Sequence, residues 1–299
     1  MKENNYIIEK YKNYQISEIQ SGYRCKTYLL NDNVTKYIYQ VYLGDIKYQA
    51  KKKKYVTELI TKNLCVEEIP KVIEYGENEK FAYLVSEYKC GIEVDEVKKE
   101  DINFKNLYTS LAKILFNIHS INIGEEFGWI GENGLEKKKL FYEYIEKEIK
   151  RNIQRIKKII MYDDIILNEI TQKATDAISE LKKISPVVPV ISWYDINANN
   201  ILIDENSSIT GFLDAGGARF AAKEWDIAFI KMDLCNNKKE FNLFLDNYKG
   251  KINNKLLNIL TVIVEIDDIA FQLETKIKLP IAFESNFKNI ITKLQKEYM

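Results

Sequence analysis

Ile191–Ile227 reads ISWYDINANNILIDENSSITGFLDAGGARFAAKEWDI, and the interpretation of the chain starts from this stretch. It places polar side chains at Asp195, Asn200 and Asp214 within an otherwise apolar setting. The asparagine follows the first aspartate by five positions, and the second aspartate begins an Asp-Ala-Gly sequence. This spacing is the strongest functional signal in the chain.

Two short β-type runs, 201–203 and 209–213, follow the first two polar residues. The turn formers of 204–208 join the runs, so the pattern predicts a hairpin. Asp195 and Asn200 precede the first strand and Asp214 ends the second. We therefore expect the hairpin to bring all three residues to one end of a small sheet.

Oxygen ligands of this kind suit a hard divalent cation, and Mg²⁺ typically takes one or two carboxylates together with substrate phosphates. An aspartate, an asparagine five positions later and a metal-binding aspartate in Asp-x-Gly are also the parts used by phosphoryl-transfer enzymes. The alternative is that Asp195 and Asn200 only cap a turn, as either residue alone often does.

With Glu224-Trp225-Asp226-Ile227-Ala228 downstream, the stretch resembles the aminoglycoside phosphotransferase and choline kinase family, whose fold is protein-kinase-like. The motif is most similar to the hygromycin B phosphotransferase branch. The resemblance implies an α+β bilobal fold. It predicts a small antiparallel-sheet lobe over residues 1–88, a hinge at 86–91, and a larger helical lobe over 92–299 with its catalytic loop at 193–200.

The same resemblance implies roles for the polar residues. Asp195 would be the catalytic residue, and Asn200 and Asp214 would hold Mg²⁺. The chain departs from the family where Trp193 replaces a histidine and Tyr194 a glycine. An aromatic ring can fill the space of the histidine without making its polar contact.

The first ninety residues alternate short β-type runs with polar turns, which predicts hairpins. The resemblance places Gly22 in a turn over the nucleotide phosphates, although an ordinary hairpin turn would look the same. Gln40 stands where the family has a phosphate-binding lysine. An amide brings no charge, so we expect a weaker hold on ATP or GTP.

A helix is predicted over about 47–63, and in the family it supplies a glutamate to that lysine. Glu58 is the available acid here. The lysine run 51–54 is interpreted as a solvated helix face, with a phosphate-binding role as the alternative. At the end of a later strand, the backbone of Glu87 and Tyr88 would bind the nucleotide base.

Beyond Gly91 the apolar period changes from two to about 3.6, which predicts helices through the rest of the chain apart from the central hairpin. The single histidine, His119, is interpreted as a hydrogen-bonded core residue. Glu265, Asp267 and Asp268 interrupt an apolar helical pattern. They are candidates for a wall that binds a cationic acceptor, and a solvated helix face is the alternative.

Composition limits the partners. The chain has 299 residues, with 44 basic and 44 acidic side chains, so no net field favours nucleic acid or a membrane surface. Four scattered cysteines and one histidine give no zinc motif. The sequence shows neither a signal peptide nor an apolar run long enough to span a membrane, so we expect a cytoplasmic protein. Heavy use of Lys, Asn, Ile and Tyr suggests a bacterial source, and we expect a monomer.

Two functions remain open on this basis. The first is a kinase that uses Mg²⁺ and ATP or GTP to phosphorylate an aminoglycoside-type antibiotic, with choline, a sugar or a macrolide as other acceptors. The second is a weak or inactive nucleotide-binding module of the same fold, which the departures at Gln40 and Trp193 would favour.

Overall fold

The computed structural model describes residues 3–19, 25–131, 134–135, 137–160, 164–184, 186–276 and 285–297. The helices run, in chain order, α1 Glu3–Lys10, α2 Tyr48–Asn63, α3 Phe104–His119, α4 Phe141–Ile159, α5 Asp164–Leu181, α6 Lys223–Phe229, α7 Lys238–Asn247, α8 Asn254–Thr275 and α9 Lys288–Glu297. The strands are β1 Gln15–Ile19, β2 Lys26–Asn31, β3 Lys36–Leu43, β4 Val72–Glu77, β5 Phe81–Glu87, β6 Ile92–Glu93, β7 Gly128–Gly131, β8 Gly134–Leu135, β9 Val190–Ser192, β10 Ile201–Ile203, β11 Ile209–Phe212 and β12 Arg219–Ala221. The predicted α+β class is confirmed.

The chain divides into two compact units. Unit 1 comprises Met1–Leu107, Ile130–Leu135 and Asn199–Ala218, and unit 2 comprises Tyr108–Trp129, Glu136–Ala198 and Arg219–Met299. The division differs from a boundary near residue 88, because the segment after the predicted hinge and the β10–β11 hairpin both belong to unit 1.

Antiparallel pairing in the order β1-β2-β3-β5-β4 gives unit 1 its main sheet. Successive side chains of a strand point to opposite faces, so β3 presents Tyr39 and Val41 to one side and Gln40 and Tyr42 to the other. The first pair packs in a core cluster with Ile7 of α1. Tyr42 packs instead with residues of β5 and α2.

Helix α2 covers that second face through one continuous stripe. Its buried residues are Gln49, Ala50, Lys52, Lys53, Val56, Thr57 and Ile60. They recur at the spacing of a single helical face. Two lysines of the 51–54 run are therefore on the inward side, where only apolar residues would normally be expected.

A second, smaller sheet completes unit 1, in the order β11-β10-β6. The chain reaches it through Gly91, where an added Cβ would lie 2.5 Å from Oγ1 of Thr210 and 2.9 Å from Cβ of Leu202. Only glycine permits this approach. This contact explains why β6 pairs with the hairpin and joins unit 1.

Unit 2 is mainly helical. Helix α8 packs against α4, α5 and α6, and most of its side chains are buried. Strand β12 pairs with β9 in the register Arg219↔Ser192, and with Trp129 of β7. None of the helices among the residues described is both long and apolar enough to be a candidate membrane span.

Candidate active site

The β10–β11 hairpin brings Asn200 and Asp214 together, as the sequence predicts. The backbone N–H of Leu213 donates to the carbonyl oxygen of Asn200 at 2.8 Å. Residues 200 and 213 thus face each other across the hairpin, and Asp214 follows directly. The backbone pairing therefore places Asn200 and Asp214 at the same end of the hairpin in unit 1.

Asp214 is held in a left-handed conformation, with φ 59° and ψ 68°. Its Oδ1 accepts a hydrogen bond from the N–H of Gly216 at 3.0 Å, which closes a tight turn. A Cβ at position 216 would lie 2.7 Å from that same oxygen and 3.1 Å from Cε of Lys53. A larger residue at 216 would therefore force the Asp214 carboxylate to shift.

Lys53 of α2 points its ammonium into this turn. Its Nζ lies 2.8 Å from Oδ1 of Asp214 and 3.4 Å from Oε1 of Gln40. Burial by itself lowers the pKa of Lys53, but the Asp214 carboxylate outweighs it and holds the pKa above the ordinary value. Lys53 is therefore a charged cation inside unit 1.

This position corrects two interpretations of α2. The lysine run is not a solvated face, because Lys52 and Lys53 are only 2% and 7% exposed. Glu58 pairs with Lys54 one turn away at 2.8 Å and makes no described contact with Gln40. Helix α2 was expected to present an acid to residue 40, and it instead presents Lys53.

Gln40 joins the same cluster from β3. Its Oε1 accepts hydrogen bonds from the hydroxyl of Tyr42 at 3.1 Å and from Lys53, and its Nε2 donates to Sγ of Cys25 at 3.6 Å. The amide is thus oriented with its oxygen toward the ammonium group. Gly22, the other predicted phosphate contact, lies outside the described residues.

The oxygen donors fit a metal that takes few protein ligands. The described part of the chain contains no cluster of three or more His, Cys, Asp or Glu side chains that could hold a metal by itself. Asn200 and Asp214 offer two oxygen-bearing side chains, which matches Mg²⁺ completed by substrate phosphates. The Asp214 side chain is 39% exposed, so such a ligand can reach it.

Unit 2 carries Asp195 on a loop with an unusual backbone. Tyr194, in the family's glycine position, has a positive φ of 73°. For a residue with a Cβ this costs about 1 to 2 kcal/mol. The ring of Tyr194 is held by Arg219, whose guanidinium carbon lies 3.2 Å from the ring centroid, and by Phe229 at 4.5 Å between centroids.

Asp226 of α6 supports this loop from beneath. Its fully buried carboxylate accepts backbone N–H bonds from Trp193 at 2.8 Å and Tyr194 at 2.9 Å. The Ser192 hydroxyl and the Nε2 of His119 complete its partners, at 2.7 and 2.9 Å. The polar support thus comes from Asp226 and His119, while Trp193 is buried at the family's histidine position.

His119 also has its Nδ1 2.8 Å from the hydroxyl of Tyr248. It is only 8% exposed, which agrees with the predicted hydrogen-bonded core residue. The carboxylate of Asp195 is itself oriented by a neighbour, because Nδ2 of Asn197 donates to its Oδ1 at 2.5 Å.

A family model described as "Phosphotransferase enzyme family" matches residues 15–244. The chain belongs to this family. The match begins at β1, covers the main sheet of unit 1 and the predicted catalytic loop, and ends within α7, and it confirms that the chain is a phosphotransferase. No curated protein matches it.

Solved structures of phosphotransferases share the fold. Aminoglycoside phosphotransferase APH(4)-Ia, as a thermostable mutant in ternary complex with AMP-PNP and hygromycin B, is similar with TM-score 0.71 at 15% identity over 92% of each chain. Spectinomycin phosphotransferase APH(9)-Ia, in complex with ADP and spectinomycin, gives 0.67 at 18% identity over 98% of this chain and 93% of its own.

A putative fructosamine-3-kinase from Haemophilus somnus 129PT gives 0.68 at 16% identity, over 98% of this chain and 96% of its own. At these identities the likeness shows the protein-kinase-like fold alone. It spans proteins with different acceptors, so the hygromycin B branch stays a prediction.

Two acids of this phosphotransferase stand with Asp195 in an electrostatic group. Loss of solvation and the charges of Asp268 and Asp195 raise the Asp233 pKa to about 8, although part of the Asp233 surface is open to solvent. The pKa of Asp268 is raised to about 6 by burial and by neighbouring acids, although Nε2 of Gln272 donates to it at 3.0 Å. We call Asp195, Asp233 and Asp268 the acidic group.

The other two acids predicted for the acceptor wall have partners inside the chain. Glu265 is 2% exposed and accepts bonds from the backbone N–H and Nδ2 of Asn286, at 2.8 and 2.7 Å. Asp267 accepts from Nδ2 of Asn152 at 2.7 Å and lies 3.5 Å from Arg155. Contact of these two with an acceptor remains a prediction.

The hinge residues end β5. The backbone N–H of Glu87 donates to the carbonyl oxygen of Lys71 at 3.0 Å, and its carboxylate pairs with Lys89 at 3.0 Å. Tyr88 is exposed, with the ammonium group of Lys36 5.3 Å from its ring centroid. Their contact with a nucleotide base is likewise still a prediction.

Sequence reasoning missed Lys53, Asp233 and the role of Asp226. The stripe of Val56 and Ile60, continued back along α2 at helical spacing, would have placed Lys53 inward. Asp233 had no such signal, because it lies in a single π-helical turn, Ile230–Leu234, that changes the register after α6.

Proposed function

We propose that the chain is a small-molecule kinase that transfers the γ-phosphate of ATP or GTP to a hydroxyl of a cationic, aminoglycoside-type acceptor. A nucleotide donor is supported by the neighbours crystallised with AMP-PNP and with ADP. The cationic acceptor is supported above all by the charges of Asp195 and Asp268, which act together on Asp233 and raise its pKa.

The proposed reaction is a phosphoryl transfer with little covalent chemistry for the protein. The acceptor oxygen forms a bond to the γ-phosphorus, and the bond from that phosphorus to the β,γ-bridging oxygen breaks, so a nucleoside diphosphate leaves. Asp195 accepts the hydrogen bond of the acceptor hydroxyl, orients it and receives its proton. The hydrogen bond from Asn197 fixes the carboxylate for this task.

Asn200 and Asp214 would hold Mg²⁺ beside the phosphates. When bound, the metal would neutralise charge that builds up on the phosphate oxygens. The residues of the chain contribute position, since Gly216 and the Leu213–Asn200 backbone bond fix where the two ligands stand. Positioning and charge stabilisation account for most of the catalysis in this class of reaction.

The acidic group explains the choice of acceptor. The charges of Asp195 and Asp268 raise the pKa of Asp233, and a cation bound among the three acids would relieve this repulsion. An aminocyclitol with several ammonium groups gives this relief and presents hydroxyl groups to the same place. A neutral alcohol such as a sugar carries no positive charge to offset the carboxylates, so we expect it to be a poor acceptor. Resistance to such antibiotics would follow from the reaction.

The test is a transfer assay with Mg²⁺, ATP or GTP and separate pools of polycationic aminocyclitols and neutral alcohols. We expect phosphorylated product from the cationic pool. Asp268→Asn should raise the KM for the cationic acceptor about tenfold, a loss of about 1.4 kcal/mol, with kcat less affected. Asp246→Asn is the matched control, because Asp246 is an exposed acid of α7.

Two outcomes contradict the proposal. Preferred phosphorylation of neutral alcohols would reject the cationic acceptor. Binding of nucleotide with Mg²⁺, but no transfer to any acceptor, would favour the nucleotide-binding module instead.

A further inference from the structure

The strand that carries Gln40 and the helix that carries Lys53 face each other within unit 1. Gln40 and Tyr42 lie on the face of β3 that turns toward α2, and Lys53 lies on the buried stripe of the helix. The three side chains converge, with Lys53 Nζ 3.4 Å from the Gln40 oxygen and 5.4 Å from the Tyr42 ring centroid.

A buried ammonium is costly unless its N–H groups find oxygen or anionic partners. Lys53 has two described oxygen partners, Oδ1 of Asp214 and Oε1 of Gln40. Asp214 is one of the two proposed metal ligands, so the cation stands beside the place where nucleotide phosphates and metal would meet. An ammonium group binds phosphate as a compact point charge.

We propose that Lys53 is the cation that binds the nucleotide phosphates, with Gln40 as its neutral anchor. Helix α2 therefore supplies the charge, and β3 supplies the group that positions it. Gln40 itself brings no positive charge, but Lys53 supplies one to the same cluster from helix α2. This inference rests on the proposed nucleotide-dependent transfer and specifies how the donor is held.

The alternative role for Lys53 is a structural one, as a counter-ion that only positions Asp214. The two roles predict different effects of Lys53 on nucleotide binding when Mg²⁺ is absent. A phosphate-binding lysine contributes to the binding of ATP or ADP whether Mg²⁺ is present or chelated. A lysine that acts only through Asp214 contributes only to the Mg²⁺-dependent part, and neither role affects adenosine, which has no phosphate.

The experiment is calorimetric titration of the full chain with ATP, ADP and adenosine, each with Mg²⁺ and with a chelator. For Lys53→Met we expect the affinity for ATP and ADP to fall about tenfold to a hundredfold in both conditions, as for a lost hydrogen bond to a charged group. Adenosine affinity should be unchanged. Lys54→Met is the matched control, because Lys54 pairs with Glu58 on the helix surface and should bind like the wild type.

A second test moves the positive charge from position 53 on α2 to position 40 on β3. Gln40→Lys alone places a second ammonium group beside Lys53, so repulsion should prevent any gain in ATP affinity. Combined with Lys53→Met, it returns one ammonium group to the cluster from the strand. The double variant should recover at least tenfold of the ATP affinity lost in Lys53→Met, and thermal unfolding verifies that each variant is folded.

The outcomes separate this inference from the proposed function. If the wild type binds neither ATP nor GTP, the proposed kinase itself fails. If the wild type binds ATP but Lys53→Met loses affinity only with Mg²⁺, or loses none, the phosphate-binding role of Lys53 is rejected and the kinase stands. Failure of the double variant to bind better than Lys53→Met would also reject it.

Discussion

The ammonium nitrogen of Lys53 lies 2.8 Å from Oδ1 of Asp214, and this ion pair joins helix α2 to the turn that follows β11 within unit 1. It gathers Gln40, Asp214 and Gly216 into one cluster. The cluster is tightly packed, so small changes in shape should have measurable effects on nucleotide-dependent activity.

Gly216→Ala tests this packing. The new Cβ would lie 2.7 Å from the Asp214 carboxylate and would force the proposed metal ligand to move. We expect kcat/KM for the nucleotide to fall at least tenfold, a loss of about 1.4 kcal/mol, with little change in acceptor binding. Steady-state kinetics with each substrate varied measures both effects.

Gly44→Ala is the control for that variant. Gly44 also lies in unit 1 and has a positive φ of 56°, but an added Cβ there meets no atom within 4 Å. It should lower the free energy of unfolding by about 1 kcal/mol through backbone strain and leave the kinetics unchanged. Equal kinetic losses in both variants would argue against a special role for the turn at Gly216.

Much of this arrangement follows from the sequence, for physical reasons. Apolar alternation of period two predicts the strands of unit 1, and the turn formers at 204–208 predict the hairpin that brings Asn200 and Asp214 to one end. Lys53 was missed because a run of four lysines reads as a solvated surface, and only the helical phase relative to Val56 and Ile60 shows which of them point inward.

Other features had no local signal at all. Tyr194 fills the family's glycine position in the predicted catalytic loop, and contacts with Arg219 and Asp226 from distant parts of the chain maintain its positive φ. Glu265 was grouped with Asp267 and Asp268, but it is buried and accepts hydrogen bonds from the backbone N–H and the side-chain amide of Asn286. Such tertiary partners cannot be inferred from composition or periodicity.

Asp226→Asn tests how the predicted catalytic loop is held in place. The carboxylate accepts two backbone N–H bonds, and an amide would turn one NH₂ donor toward an N–H, leaving buried donors unsatisfied. We expect the free energy of unfolding to fall by about 3 kcal/mol, measured by urea denaturation. A loss below about 0.5 kcal/mol would contradict the proposed support of the loop.

The raised pKa of Asp233 predicts how stability depends on pH. Between about pH 4, where an ordinary aspartate ionises, and about pH 8, the folded chain keeps a proton on Asp233 that the unfolded chain has released. The folded state thus binds more protons, so the free energy of unfolding falls as the pH rises through this window.

Asp233→Asn removes this contribution. The variant should therefore gain stability relative to the wild type as the pH rises from about 5 to about 8, in denaturation experiments at constant ionic strength. Asp246→Asn should show no such trend. A difference between Asp233→Asn and the wild type that does not change with pH would show that the acidic group does not perturb Asp233.

Binding of a cationic acceptor should release protons. The cation favours the charged forms of Asp233 and Asp268, so it lowers their pKa values from about 8 and about 6. At a pH between these values, the measured enthalpy of acceptor binding should depend on the ionisation enthalpy of the buffer. Titration in two buffers measures the number of protons, and no release would place the acceptor away from the acidic group.

The most direct test of the central claim is the amount of phosphorylated acceptor formed with saturating Mg²⁺ and nucleotide by the wild type and by Asp195→Asn. The wild type should convert a cationic acceptor over many turnovers. Asp195→Asn should fold, bind nucleotide with unchanged affinity and form product at least a hundredfold more slowly. Equal product formation by the two proteins would contradict the assignment of Asp195, and absence of product from the wild type with every acceptor would contradict the kinase.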